Sequence, residues 1–86
     1  MKKIYKYQLR LEDRQKISMP KKAELLHVAE QEDRVWVWAL VETDNPIVER
    51  EVRVLTTGHP LWGIDSLKHI GTFMILDGDF VGHVFG

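Results

Sequence analysis

The chain has 86 residues, with 12 basic and 13 acidic side chains, a net charge of −1 with its histidines neutral, and no cysteine. That balance gives no electrostatic footprint for nucleic acid, and the missing thiols exclude a disulfide framework, a thiolate nucleophile and a cysteine-based zinc site. A hydrophobic content of 44% beside 29% charged residues is that of a globular chain rather than a disordered one, and the length predicts one β-rich domain over residues 1–86.

Met1-Lys2-Lys3 is basic, but Ile4-Tyr5-Lys6-Tyr7 is no signal-peptide core. No apolar run approaches the roughly 18–20 residues that span a bilayer, so the expectation is a cytoplasmic protein without a membrane partner. Tyr5, Tyr7, Leu9 and Leu11 alternate with Lys6, Gln8 and Arg10, which predicts a strand with one apolar face. After the polar turn Glu12-Asp13-Arg14, a second strand from Gln15 to Met19 points Ile17 and Met19 inward, and the two form an opening hairpin with a three-residue loop. Pro20 lacks a ladder donor and ends that strand. Residues 21–31 have helix-favouring composition, yet they lead directly into the next strand. A strand is the preferred reading and a helix the alternative.

Arg34–Val41 organises the chain. Val35, Val37, Ala39 and Val41 share one face and Trp36, Trp38 and Leu40 the other. Apolar on both faces, this strand belongs in mid-sheet with both sides covered. Thr43-Asp44-Asn45-Pro46 closes it with strong turn chemistry. Between Ile47 and Thr56 another strand sets Val48, Val52 and Val54 inward against a solvated Glu49, Glu51 and Arg53 face. Thr57–Leu67 is the longest irregular stretch, with one short helical turn expected at Asp65–Lys68. His69–Leu76 and Phe80–Phe85 flank Asp77-Gly78-Asp79, a strong hairpin signal that builds the last strand into the sheet. Together these elements predict an all-β fold, or a mainly β one with a single short helix, arranged as a small antiparallel sandwich or partly open barrel.

Several segments read together as a pattern: Met1–Tyr7, Trp38–Val41 with Asp44-Asn45-Pro46, Thr57-Gly58-His59-Pro60, Ile70-Gly71-Thr72 and Gly82-His83-Val84-Phe85. They resemble a family of small proteins from bacteriophages and prophages, over nearly the whole chain. The resemblance implies a viral or mobile-element origin and supplies no catalytic motif.

Four histidines, His27, His59, His69 and His83, raise a metal site, but no His-x-His or His-Glu-x-x-His pair is present. Hairpin pairing also sets His69 and His83 two positions out of register, so no metal or cofactor is expected. No Ser-His-Asp order or carboxylate pair can be argued from spacing, and no catalytic residue is assigned. In Gly58-His59-Pro60 the preferred reading is structural, with Gly supplying an unusual φ and Pro stiffening the exit. Core packing is expected for at least one of Trp36 and Trp38, while Trp62, in a Gly-bounded loop, is expected to be exposed. The Lys2-Lys3-Tyr5-Lys6-Tyr7-Arg10 cluster mixes bases with aromatics as single-strand binders do. An edge strand guarded by lysines accounts for it better.

The expected function is a non-enzymatic interaction protein that binds a host protein through Trp36, Trp38, His59, Leu61 and Trp62. An antiviral defence component such as a CRISPR–Cas complex is one such target, and a second copy of the chain is another partner. The alternative is a small-ligand or nucleotide-binding protein with His59, Trp62 and Arg53 lining a pocket or dimer cleft.

Overall fold

The computed structural model covers Met1–Gly86 and contains seven strands: β1 (Lys2–Leu9), β2 (Arg14–Pro20), β3 (Glu24–Gln31), β4 (Arg34–Glu42), β5 (Ile47–Thr56), β6 (His69–Ile75) and β7 (Phe80–Phe85). Every pairing is antiparallel. One sheet has the order β1-β4-β3 and the other β2-β5-β7-β6, and the two pack as a sandwich that does not close. Between them Leu9, Val28, Val35 and Val37 of the first sheet meet Val52, Val54, Phe73, Ile75 and Val84 of the second. A smaller cluster of Met19, Ala23, Ala39 and Val41 fills the other end. The backbone spans 39 × 30 × 15 Å, and the short dimension is that of two stacked sheets with an apolar layer between.

β4 does lie in mid-sheet, between β1 and β3. Only its valine face is sealed, however; Trp36, Trp38 and Leu40 form the outer surface of the three-stranded sheet and are half-buried. Their partial cover comes from neighbouring strands rather than from a further layer. The Lys6 ammonium lies 4.3 Å from the Trp36 ring centroid, and the His27 ring sits 5.9 Å from that of Trp38. Neither tryptophan is core, contrary to expectation, because β4 turns its Val35, Val37, Ala39 and Val41 face to the space between the sheets.

Residues 24–31 form a strand, not a helix. Glu32 and Asp33 join β3 to β4 with φ of 54° and 62°, the left-handed pair that a two-residue hairpin needs to match strand twist. The opening hairpin is absent. β1 pairs with β4 from Lys2↔Glu42 to Leu9↔Val35, and β2 pairs with β5 in the opposite sheet. The connection is held instead by buried Gln15, whose amide donates to the carbonyls of Arg10 (2.9 Å) and Glu12 (3.0 Å) and accepts from the Arg10 N–H (2.9 Å). Leu11 lies outside β1 and is exposed. At the far end the hairpin signal is realised: Ile75 pairs with Phe80 across a four-residue turn, and the Asp79 N–H donates to the Leu76 carbonyl.

Candidate functional site

The Thr57–Lys68 connection joins β5 to β6, which flank β7 in the same sheet, so it must pass over the end of β7. It begins with a turn in which the His59 N–H donates to the Thr56 carbonyl at 3.1 Å. Gly58 takes φ +87° there, a left-handed position that glycine occupies without steric cost. The structural role expected of this glycine is met. The helical turn expected at Asp65–Lys68 is instead a single turn closed by the Leu67 N–H on the Ile64 carbonyl.

Part of this connection lies against the outer side of the four-stranded sheet, and it explains Arg53. Alternation puts Arg53 on the face opposite core residues Val52 and Val54, yet its side chain is only 3% exposed. Its Nε donates to Asp13 Oδ1 at 2.8 Å and a terminal nitrogen donates to the Trp62 carbonyl at 2.6 Å. The hydrogen bond that Arg53 donates to Asp13 is the main cause that holds the Arg53 pKa above its ordinary value. The solvated face expected for Glu49, Glu51 and Arg53 therefore ends at Glu51, and Arg53 anchors the loop. No buried side-chain nitrogen or oxygen in the chain lacks a partner.

Anchored in this way, the loop presents Trp62 at 72% exposure and Leu61 at 47%. Two shallow depressions flank it and share Leu55, Thr56 and His59. The first, about 290 Å³, runs between Leu11, Pro60, Trp62 and Phe80. The second, about 250 Å³, lies toward His69, His83 and Phe85.

Beside the second depression four polar side chains join in series. His83 Nε2 is 2.6 Å from the Thr57 hydroxyl and its Nδ1 is 3.1 Å from the Thr72 hydroxyl, which in turn is 3.3 Å from His69 Nε2. The register explains the link: His69 pairs with Phe85 and Thr72 with His83, with a bulge between His69 and Gly71. The two imidazoles are offset as the hairpin predicted, and Thr72 bridges them. The His69 ring also packs edge-on against Phe85 at 5.2 Å. No three His, Asp or Glu side chains converge as a metal site would require.

Of the predicted binding residues, the structure brings His59, Leu61 and Trp62 together and separates them from Trp36 and Trp38, which lie on the outer surface of the other sheet. The segments that carry the family pattern divide in the same way. Met1–Tyr7 and Trp38–Val41 pair side by side in the three-stranded sheet, whereas Thr57–Pro60, Ile70–Thr72 and Gly82–Phe85 meet around the second depression. The chain belongs to the family of the domain of unknown function DUF7352. That family's model matches residues 1–86, the whole of the sequence. No curated protein and no solved structure matches this DUF7352 chain. No helix is long and apolar enough to cross a membrane.

Sequence reasoning missed Asp13, Thr57, Thr72 and the anchoring role of Arg53. Asp13 reads as an ordinary turn residue. The one available signal was an arginine in a strand followed closely by a long Gly- and Pro-bearing loop able to fold back over it.

Proposed function

We propose that the chain is a non-enzymatic interaction domain that binds a protein through the loop carrying His59, Leu61 and Trp62. The observation that supports this most directly is an exposed tryptophan on a fixed backbone: Trp62 is 72% exposed while its carbonyl is held by buried Arg53. Binding normally costs the ordering of interface loops, and a pre-organised loop avoids part of that cost. Tryptophan is also among the residues enriched where a few side chains carry most of the binding energy. Trp36 and Trp38 are the weaker half of the expected surface, because Lys6 and His27 already cover parts of their rings and a single flat partner cannot reach both outer surfaces.

The resemblance to phage and prophage proteins makes the partner a bacterial host protein in this reading. An antiviral defence complex, CRISPR–Cas among them, is the class to test first, since a stoichiometric inhibitor needs only a surface. The test is capture from host lysate by the tagged chain, repeated with Trp62→Ala and Leu61→Ala. One host protein retained in equal stoichiometry and lost with either variant supports the reading. Retention of nothing, or equal retention by folded variants, overturns it.

A further inference from the structure

We infer that the depression between Thr57–Leu61 and the β6–β7 hairpin binds a small phosphate monoester, with the Thr57 hydroxyl and the His59 imidazole as donors to the phosphate. The observations behind it do not rest on the protein partner proposed above, although the two sites share His59 and Leu61. Nine residues line the depression and none is a carboxylate, so nothing in its wall repels an anion. Its polar members are threonines and histidines, and the His59 ring has no hydrogen-bond partner within the chain. Leu55, Leu61 and Phe85 supply an apolar part against which an organic stem can lie. A volume of about 250 Å³ sits just below the usual range of about 300–1,000 Å³ for ligand pockets, which suits one phosphate and a single ring system.

The hydrogen-bonded series supplies the directionality. A hydroxyl and a neutral imidazole each have one proton to donate. When both imidazoles are neutral, the tautomer of His83 therefore fixes the direction of the hydrogen bond at the Thr57 end of the series. Running toward Thr57, His69 Nε2–H donates to Thr72, Thr72 to His83 Nδ1, and His83 Nε2–H to the Thr57 oxygen. The Thr57 proton is then free for a ligand. In the reverse direction Thr57 spends its proton on His83 and presents only lone pairs. Protonated His83 donates from both nitrogens and again leaves the Thr57 proton free. A bound phosphoryl oxygen thus selects the states with a proton on His83 Nε2. In this scheme His83 is a positioning residue that acts through Thr57.

The test is an NMR titration of the histidine side chains with adenosine monophosphate, inorganic phosphate and adenosine. His27, on the other sheet beside Trp38, is the internal control. The expected result is a saturable shift of His59 and His83 with adenosine monophosphate, a weaker one with phosphate alone, and no movement of His27. The imidazole nitrogen shifts of His83 should move toward the Nε2–H form on binding, a change that a purely structural role would not produce. Thr57→Val keeps the shape and removes the hydroxyl, and should weaken binding at least tenfold; His83→Gln should do the same. The inference is overturned by no saturable shift up to about 10 mM, the concentration at which millimolar binding approaches saturation. It is equally overturned if adenosine acts as well as its monophosphate, or if folded Thr57→Val binds unchanged.

Discussion

At Arg53 a guanidinium is withdrawn from water while its carboxylate partner stays in it: the Arg53 side chain is 3% exposed and that of Asp13 61%. Removing an exposed acid usually changes stability by less than about 0.5 kcal/mol. Here it strips a buried donor of its acceptor, and an unsatisfied buried group costs about 1–3 kcal/mol, more when charged. Asp13→Ala is therefore expected to lower the unfolding free energy by about 2 kcal/mol, whereas Asp13→Asn keeps an acceptor oxygen and should recover much of that loss. Urea denaturation of the two variants checks this, and equal stability of Asp13→Ala and the parent would refute the anchor. The same asymmetry explains why the sequence hid Arg53. Its outward position in β5 is correctly read from alternation, but its cover comes from the loop backbone at Trp62 and Gly63, whose approach is announced only by the length and the Gly and Pro content of the connection. A second residue gives a pH prediction. Burial first, and neighbouring Tyr5 second, push the Tyr7 hydroxyl above its ordinary value near 10. The folded state thus favours the neutral phenol. Its contribution is complete below the unfolded value and is lost as pH rises through the raised folded one. Thermal melts across the alkaline range should show a steep loss in the parent that Tyr7→Phe makes shallower; parallel profiles would count against it.

The β3–β4 and β6–β7 hairpins were legible in the sequence because each turn lies between the strands it joins. The β1–β2 crossing was not, since strand alternation and a short loop are equally compatible with a hairpin and with passage to the other sheet. Pairing of β1 with β4 and of β2 with β5 is decided by which apolar faces enclose one core, a long-range matter. The cleft was illegible for a related reason: Thr57, Thr72 and His83 become neighbours only through the register of β5, β7 and β6. The β3–β4 turn also shows where the chain departs from local preference. Glu32 and Asp33 both hold left-handed backbone, at positions where Asn-Gly is strongly favoured. Replacing the pair with Asn-Gly should raise stability by about 1 kcal/mol, given the cost of left-handed backbone for ordinary residues. A higher urea midpoint with unchanged slope is the expected readout, and an unchanged or lower midpoint would contradict the turn geometry. In the other hairpin Phe73 lies across the strand from Gly82. A Cβ at Gly82 would sit 2.4 Å from the Phe73 ring, so Gly82→Ala must displace that buried ring. Overpacking of this kind costs about 1–3 kcal/mol, measurable in the same urea assay, and a variant as stable as the parent would show that the ring moves freely.

At the scale of the whole molecule, neither sheet has an apolar core of its own. The three-stranded sheet contributes Leu9, Val28, Val35 and Val37, and the four-stranded sheet contributes Val52, Val54, Phe73, Ile75 and Val84, to one shared cluster. The chain also crosses between sheets three times, at residues 10–13, 21–23 and 43–46, so each sheet is assembled from non-consecutive segments. At residue 71 β6 comes so near β3 that a Cβ on Gly71 would lie 3.2 Å from that of Val28, tying the sheets together along that side as well. Partial unfolding of either sheet would expose the other's half of the core, which favours a single cooperative transition. The tryptophans permit a direct test. Trp36 and Trp38 are in the three-stranded sheet, and Trp62→Phe removes the remaining one, leaving fluorescence as a reporter of that sheet alone. Amide signals of β5 and β7 report the other. In urea the two probes should give coincident midpoints and slopes, with folding slowed to milliseconds or longer because so few pairings are local. If instead the amides of β5 and β7 persist after the tryptophan signal has changed, the four-stranded sheet stands without the other. The cleft and the Trp62 loop, which both rest on it, would then belong to a smaller folding unit than the full sandwich.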